Sequence, residues 1–274
     1  MNAIKVGVTF LIYLVNALHA NAQPNPLPKP RHRFTVIAHR GDHVKYPENT
    51  LAAYQEAIRN GVDYVEIDLR TTNDSALVSM HDGSITRMTG KPGNIKDLTL
   101  DQVKDLAIRS KDSTDTNIYR VPTFEEILKA CKNKIYIYLD FKDASAAATY
   151  KVLRKYGMEK QVIVYINSAS QFKDWRTVAP TMPLMLSLPG NAKDANAVKT
   201  FVDRYHPDLL DGNWKSYNAD ILKYLSESKL PAWPDIQSAD EDKHWDKALP
   251  LGFTGLQTDH PAALIAHLKE LGLR

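Results

Sequence analysis

The sequence predicts an α/β fold of the closed parallel type, a TIM (β/α)8 barrel, with a small insertion after the second strand. Three observations carry that expectation. From Phe34 onward, apolar or β-branched runs alternate with amphipathic helical patterns, and eight such pairs fit into the roughly 240 residues that follow. Polar residues recur just past the strand ends, where barrels of this class keep their chemistry. No G-x-G-x-x-G follows the first strand, and a doubly wound open sheet usually needs fewer units.

Ahead of the barrel, Lys5 precedes an apolar stretch over 6–18, and Ala20-Asn21-Ala22 puts small residues at the two positions a signal peptidase reads. Residues 1–22 are expected to be a signal peptide, so the protein is expected to be exported, to a periplasm or beyond. No other stretch approaches about 20 apolar residues, so no stable membrane insertion is expected once the leader is removed. The proline-rich 23–33 reads as an extended lead-in, and 34–274 as one domain.

The first strand is expected over 34–38 and its helix over 49–60, with Leu51, Tyr54, Ala57 and Ile58 on one face and Gly61 as the stop. The second strand covers 63–69. The alternation then breaks over about 71–120, where short β-like pieces such as 76–80 and a helix over 100–108 sit among many Gly, Asp, Thr and Ser residues. Strands over 135–141, 161–166, 183–188, 208–212, 230–234 and 253–257 follow. They alternate with helices over 123–131, 144–156, 168–178, 192–205, 218–228 and 239–248, and a last helix runs to Leu271.

With 43% hydrophobic and 24% charged residues, the chain can bury the core of such a domain. A formal charge of +3 with no Lys/Arg run argues against a nucleic-acid partner. The one cysteine, Cys131, excludes an internal disulfide and reads as a buried structural thiol.

Chemistry concentrates between His39 and Asp82. Residues two apart on a strand share a face, so Glu66 and Asp68 project together. Such carboxylates repel unless a cation sits between them, which suits a hard divalent metal. His39 and His81 add proton-transfer groups and Arg40 an anion clamp. The combination points to metal-assisted chemistry on a phosphate ester. Asp140 and Lys142 at the third strand, Asp211 and Asn213 at the sixth, Trp233 and Asp235 at the seventh, and Asp259 at the eighth fall on the same rim. His43 reads as solvated, Asp259 as a cap for the final helix, and His206, His244 and His267 as surface or packing residues.

The ordered set His39-Arg40-Gly41, Pro47-Glu48-Asn49-Thr50, Glu66 with Asp68, Thr72 through His81-Asp82, and Thr258-Asp259-His260-Pro261 resembles the glycerophosphodiester phosphodiesterases, metal-dependent TIM-barrel hydrolases. The resemblance spans essentially all of 34–271. It implies that His39 and His81 are the general acid/base pair and that Arg40 contacts phosphate. It implies Ca2+ or Mg2+ on Glu66, Asp68 and Asp140, with Glu48 as a further ligand or close behind one. The third carboxylate departs from the family's E-x-K pattern, because Asp140-Phe141-Lys142 is one methylene shorter. Lys142 would bind substrate, and Trp233 would border the pocket, although Pro234 replaces the usual threonine. The implied reaction hydrolyses a small-molecule glycerophosphodiester to sn-glycerol 3-phosphate and an alcohol. The alternatives are a phospholipase D-like or sphingomyelinase D-like enzyme acting on lysophospholipids, and a catalytically silent barrel that only binds. The retained histidines and carboxylates argue against the silent form.

Overall fold

Strands whose two faces are both apolar belong in a sheet covered on both sides. The computed structural model describes residues 26–274; the expected leader lies outside the described residues. In chain order the strands are β1 (Thr35–Ala38), β2 (Tyr64–Thr71), β3 (Leu77–Ser79), β4 (Ala107–Ile108), β5 (Tyr119–Arg120), β6 (Tyr136–Phe141), β7 (Val162–Ile166), β8 (Leu184–Ser187), β9 (Leu209–Asp211) and β10 (Gly255–Thr258). The helices are α1 (Leu51–Arg59), α2 (Thr86–Thr89), α3 (Leu100–Lys104), α4 (Phe124–Cys131), α5 (Ala146–Tyr156), α6 (Ala169–Val178), α7 (Ala195–Tyr205), α8 (Ala219–Ser228), α9 (Asp242–Ala248) and α10 (Pro261–Glu270). Among the described residues, no helix is long and apolar enough to cross a membrane.

The parallel strands pair in the order β10, β1, β2, β6, β7, β8, β9. The expected strand over 230–234 is an irregular stave that fills the remaining gap. On one side Trp233 donates its backbone N–H to Leu210 and Asp235 to Gly212; on the other, Gln257 donates to Pro234 and Ile236 to Gln257. Pro231 and Pro234 have no N–H to give, so a continuous ladder cannot form there. The bonds that survive are enough to close the barrel.

Alternation along the strands separates two cores. Val65, Ile67 and Leu69 face the helices, as do Ile137, Leu139 and Phe141. Ile37, Tyr64, Tyr138, Ile163, Met185, Leu209 and Trp233 fill the barrel interior, with Leu27 of the lead-in packed against them. The Tyr64 hydroxyl donates to the Pro28 carbonyl, so the lead-in covers the end of the barrel opposite the chemistry. Cys131 is fully buried in the outer core, and burial pushes its thiol up to about 12, which leaves it inert as expected.

The insertion forms a small lobe with its own core, including Val78, Met80, Ile95, Val103 and Val121. Within it β3 runs antiparallel to β2, and β4 pairs with β5. The helix expected over 100–108 stops at Lys104, and Ala107 and Ile108 turn into β4.

Barrel closure generates a stability prediction. A Cβ added at Gly255 would lie 2.8 Å from Thr35 Cβ and 2.8 Å from Trp233 Cδ1, contacts too close for either neighbour to accept unmoved. Gly255→Ala should therefore destabilise the fold by about 1–3 kcal/mol through overpacking. Urea unfolding would show this as a lowered midpoint at unchanged slope, and an unshifted midpoint would refute it.

Candidate active site

A single step of two residues along each strand converts the barrel interior from apolar to polar. Ile37 leads to His39, Ile163 to Tyr165, Leu209 to Asp211, and Trp233 to Asp235. Tyr64 leads to Glu66 and Asp68, and Tyr138 to Asp140. The polar layer lines a cleft of about 190 Å³ at the C-terminal ends of the strands.

Parallel pairing sets Asp68 beside Asp140 in register, one position beyond the Ile67–Leu139 pair. Glu66, Asp68 and Asp140 each offer an oxygen within 4.8 Å of the others. Burial first, then the charges of Asp68 and Asp140, push the Glu66 carboxyl well above its ordinary value. The surrounding groups offset this repulsion. Lys142 Nζ lies 2.5 Å from Asp140 Oδ2 and 3.1 Å from Asp68 Oδ1. Asn167 Nδ2 donates to Asp140 Oδ1 at 2.7 Å, and Asn49 Nδ2 to Asp68 Oδ2 at 2.7 Å. The Arg40 backbone N–H donates to Glu66 Oε2 at 2.7 Å. That last bond depends on a left-handed turn, with φ of 54° at Arg40 and 84° at Gly41. A Cβ on Gly41 would also strike the Ala53 backbone at 2.8 Å, so only glycine fits there.

Each expected catalytic histidine has its own carboxylate. His39 Nδ1 is 2.7 Å from Asp259 Oδ1, and His81 Nδ1 is 2.7 Å from Asp82 Oδ1. A carboxylate only accepts, so Nδ1 carries the proton in both rings and Nε2 is left to accept or deliver one. Burial alone would raise the Asp259 carboxyl, but the His39 contact outweighs it and holds it below the usual range.

Four expectations need correction. Asp259 does not cap the final helix: α10 has no side-chain cap, and the carboxylate is turned to His39. Glu48 is not one of the three clustered carboxylates, and stands behind them through Arg40, which lies 3.5 Å from Asp68. Arg40 donates to it at 2.9 Å and Arg87 at 2.9 and 2.8 Å; burial opposes its ionisation, but the two arginines win and hold it down at about 2. Trp233 does not reach the cleft. It sits one inward layer too deep, packed on Tyr64 at 4.8 Å between ring centroids, with its indole N–H on Thr254. His43 is buried instead of solvated, with Nδ1 2.9 Å from the His39 carbonyl. Asn213 caps the short turn at Lys215, while Asp211 lines the cleft.

Several contributors were missed. Asn49 stands within the Pro47–Thr50 motif, yet nothing in the motif shows that its amide also accepts from the Tyr54 and Ser79 hydroxyls to fix Asp68. Glu241 is fully buried and accepts from the Thr258 hydroxyl and the Asp259 N–H, shaping the loop that presents Asp259. Arg87, in the insertion, bridges Glu48 to Asp82 at 2.6 Å. No local signal marks Glu241 or Arg87.

The site fits a divalent metal: three hard oxygen donors converge, and their charge exceeds what Lys142 neutralises. Glu66 and Asp140 hold their protons above the ordinary carboxylate range, so without a cation their stabilising contribution is present at low pH and lost as pH rises through the folded value. A cation requires both deprotonated. The rise in Tm caused by Ca2+ or Mg2+ should therefore grow with pH above about 4, reaching the equivalent of about 2.7 kcal/mol at a hundredfold excess over Kd. Asp68→Ala should abolish the rise and Glu48→Gln should retain it. A shift that survives Asp68→Ala would reject the assignment.

Residues 39–263 match the family model for the glycerophosphoryl diester phosphodiesterase family. A glycerophosphodiester phosphodiesterase of Caldanaerobacter subterraneus is 27% identical over 254 residues, covering 86% of this chain and 98% of its own length. One from Bacillus subtilis is 26% identical over 281 residues, with 93% of each chain covered. Among solved structures, a phosphodiesterase of Oleispira antarctica in complex with the product sn-glycerol-3-phosphate superimposes with a TM-score of 0.77 at 19% identity, over 86% of this chain and 96% of that one. The chain belongs to the glycerophosphoryl diester phosphodiesterase family, and it is a phosphoric diester hydrolase.

Proposed function

We propose that this enzyme hydrolyses glycerophosphodiesters, the deacylated forms of phospholipids, to sn-glycerol 3-phosphate and an alcohol. The observation that carries the reading is the convergence of two carboxylate-held histidines, Lys142 and three clustered carboxylates on one polar cleft, with the Arg40 guanidinium 3.5 Å from Asp68. The names of the full-length relatives and the product bound to the Oleispira enzyme support the same substrate class. The leader-like start supports action outside the cytoplasm.

Glu66, Asp68 and Asp140 would hold the metal, Ca2+ or Mg2+, which when bound supplies Lewis-acid polarisation of a phosphoryl oxygen. Arg40 and Lys142 bind the anionic diester, Arg40 through a planar fork and Lys142 as a point charge. The His39 Nε2 accepts the proton of the attacking hydroxyl, from water or from the neighbouring glycerol hydroxyl. His81, starting doubly protonated with Nδ1–H on Asp82, gives its Nε2 proton to the alcohol oxygen as the bond to phosphorus breaks and is left neutral. Asp259 and Asp82 keep each ring in the required tautomer and stabilise it when it is doubly protonated. Burial pushes the neighbouring His43 below the ordinary histidine value, consistent with a neutral ring that orients the His39 loop.

Purified enzyme given glycerophosphocholine, with product coupled to glycerol 3-phosphate dehydrogenase, tests this directly. Turnover should vanish with EDTA and return with Ca2+ or Mg2+. His39→Ala and His81→Ala should each lower kcat by about 10²–10⁴-fold, the usual worth of general acid/base catalysis. Asp259→Asn should lower kcat with little change in KM, since it alters the base and not the phosphate contacts. Activity that survives thorough chelation would sink the metal assignment. Release from lysophospholipid alone would move the enzyme to the phospholipase D-like class.

A further inference from the structure

Around the barrel from the cation-balanced carboxylates, the cleft carries a second polar group built differently. Asp211 ends β9, Asp235 follows the irregular stave, and Gln257 lies on β10; all three line the cleft. Asp211 Oδ2 accepts the Tyr138 hydroxyl at 2.6 Å and the Gly212 N–H lies against the same carboxylate, but no donor sits in full hydrogen-bond geometry on Oδ1, although the residue is only 2% exposed. Gln257 Nε2 donates to Asp235 Oδ1 at 2.5 Å, and Gln237 Nε2 donates to the same oxygen at 3.1 Å. Gln257 is only 4% exposed, and its carbonyl Oε1 has no partner.

With Asp211 ionised both atoms are acceptors, and a buried acceptor without a donor is costly. The nearest hydroxyls are already engaged: Tyr138 donates to Asp211, and Tyr165 pairs with Ser187 at 2.6 Å. What fills this side of the cleft must therefore bring its own hydrogens. It must also offset negative charge, because Asp235 stands beside the buried Asp211 and, after burial itself, pushes its carboxyl up. A primary ammonium answers both requirements. A quaternary ammonium carries no N–H, and a polyol carries no charge.

We propose that Asp211, Asp235 and Gln257 form the subsite for the alcohol arm of the diester, and that this subsite takes a primary ammonium. The inference rests on the glycerophosphodiesterase reading above, and the test separates the two. With saturating metal, kcat/KM would be compared for glycerophosphoethanolamine, glycerophosphocholine and glycerophosphoglycerol, in the wild type, Asp211→Asn and Asp235→Asn. The expected result is a preference of about tenfold or more for the ethanolamine diester over the other two, the usual scale for a hydrogen bond to a charged group, which falls towards one in each variant. Equal use of the three diesters, a preference for the glycerol diester, or a preference untouched by both variants would overturn the proposal. So would a second divalent cation per chain that is lost in Asp211→Asn. No turnover of any of the three would instead remove the reading on which the subsite rests, and the subsite with it.

Discussion

Glu66 and Asp68 point into the barrel from one strand, and Asp140 joins them from the next because parallel pairing sets it beside Asp68. Two unit charges 4 Å apart repel by about 4 kcal/mol at an effective dielectric of 20, and these groups are screened from water. Much of the surrounding architecture answers that repulsion. Lys142 lies between two of the carboxylates, Asn49 and Asn167 donate to their outer oxygens, and the left-handed turn at Arg40 and Gly41 aims a backbone N–H at the third. The close packing of Gly41 on Ala53 then fixes that turn to α1, so the first β/α unit is shaped by the charge it must serve.

The same economy of charge ties the insertion to the barrel. Arg40, Glu48, Arg87 and Asp82 form a chain of alternating charge that starts in the loop after β1 and ends in the insertion lobe on His81. Arg70 of β2 holds the same lobe by donating to the Met80 and His81 carbonyls. The lobe's own apolar core, which includes Met80 next to His81, seats the segment, and these polar contacts tie it to the barrel. Glu48 is thus more useful between two arginines than at the metal, where a fourth carboxylate would add to the repulsion.

Period and charge made much of this legible. Alternating strand and helix patterns specify the barrel because burial on both faces has a strict sequence signature. Glu66 and Asp68 were readable as a pair because period two is local. Contacts across the fold have no such signature. Asp259 lies 220 residues from His39, and beside Pro261 it looks like a helix cap, so its partner emerges only once β10 pairs with β1. Glu48 also sits next to a helix start, and nothing nearby in sequence announces Arg87. Trp233 and Asp235 differ by a single step of the pleat: both face inward, but only the second reaches the cleft, and depth along a stave interrupted by prolines cannot be counted from sequence. Asn167 and Glu241 carry no motif at all.

The two histidines depend on different parts of the fold being complete. His39 acquires its carboxylate when the last strand docks on the first, with Glu241 of the preceding segment holding the Asp259 loop in place. His81 acquires its orientation when the insertion folds back and Arg87 reaches Glu48. The carboxylate trio, by contrast, needs only the adjacent pair β2 and β6. A chain with β2 and β6 paired but the barrel still open would therefore gather the three clustered carboxylates before either histidine had its carboxylate in place. Under the proposed acid/base roles, proton transfer then becomes available last, when the ends of the barrel meet and the insertion is seated, which couples it to closure of the whole fold.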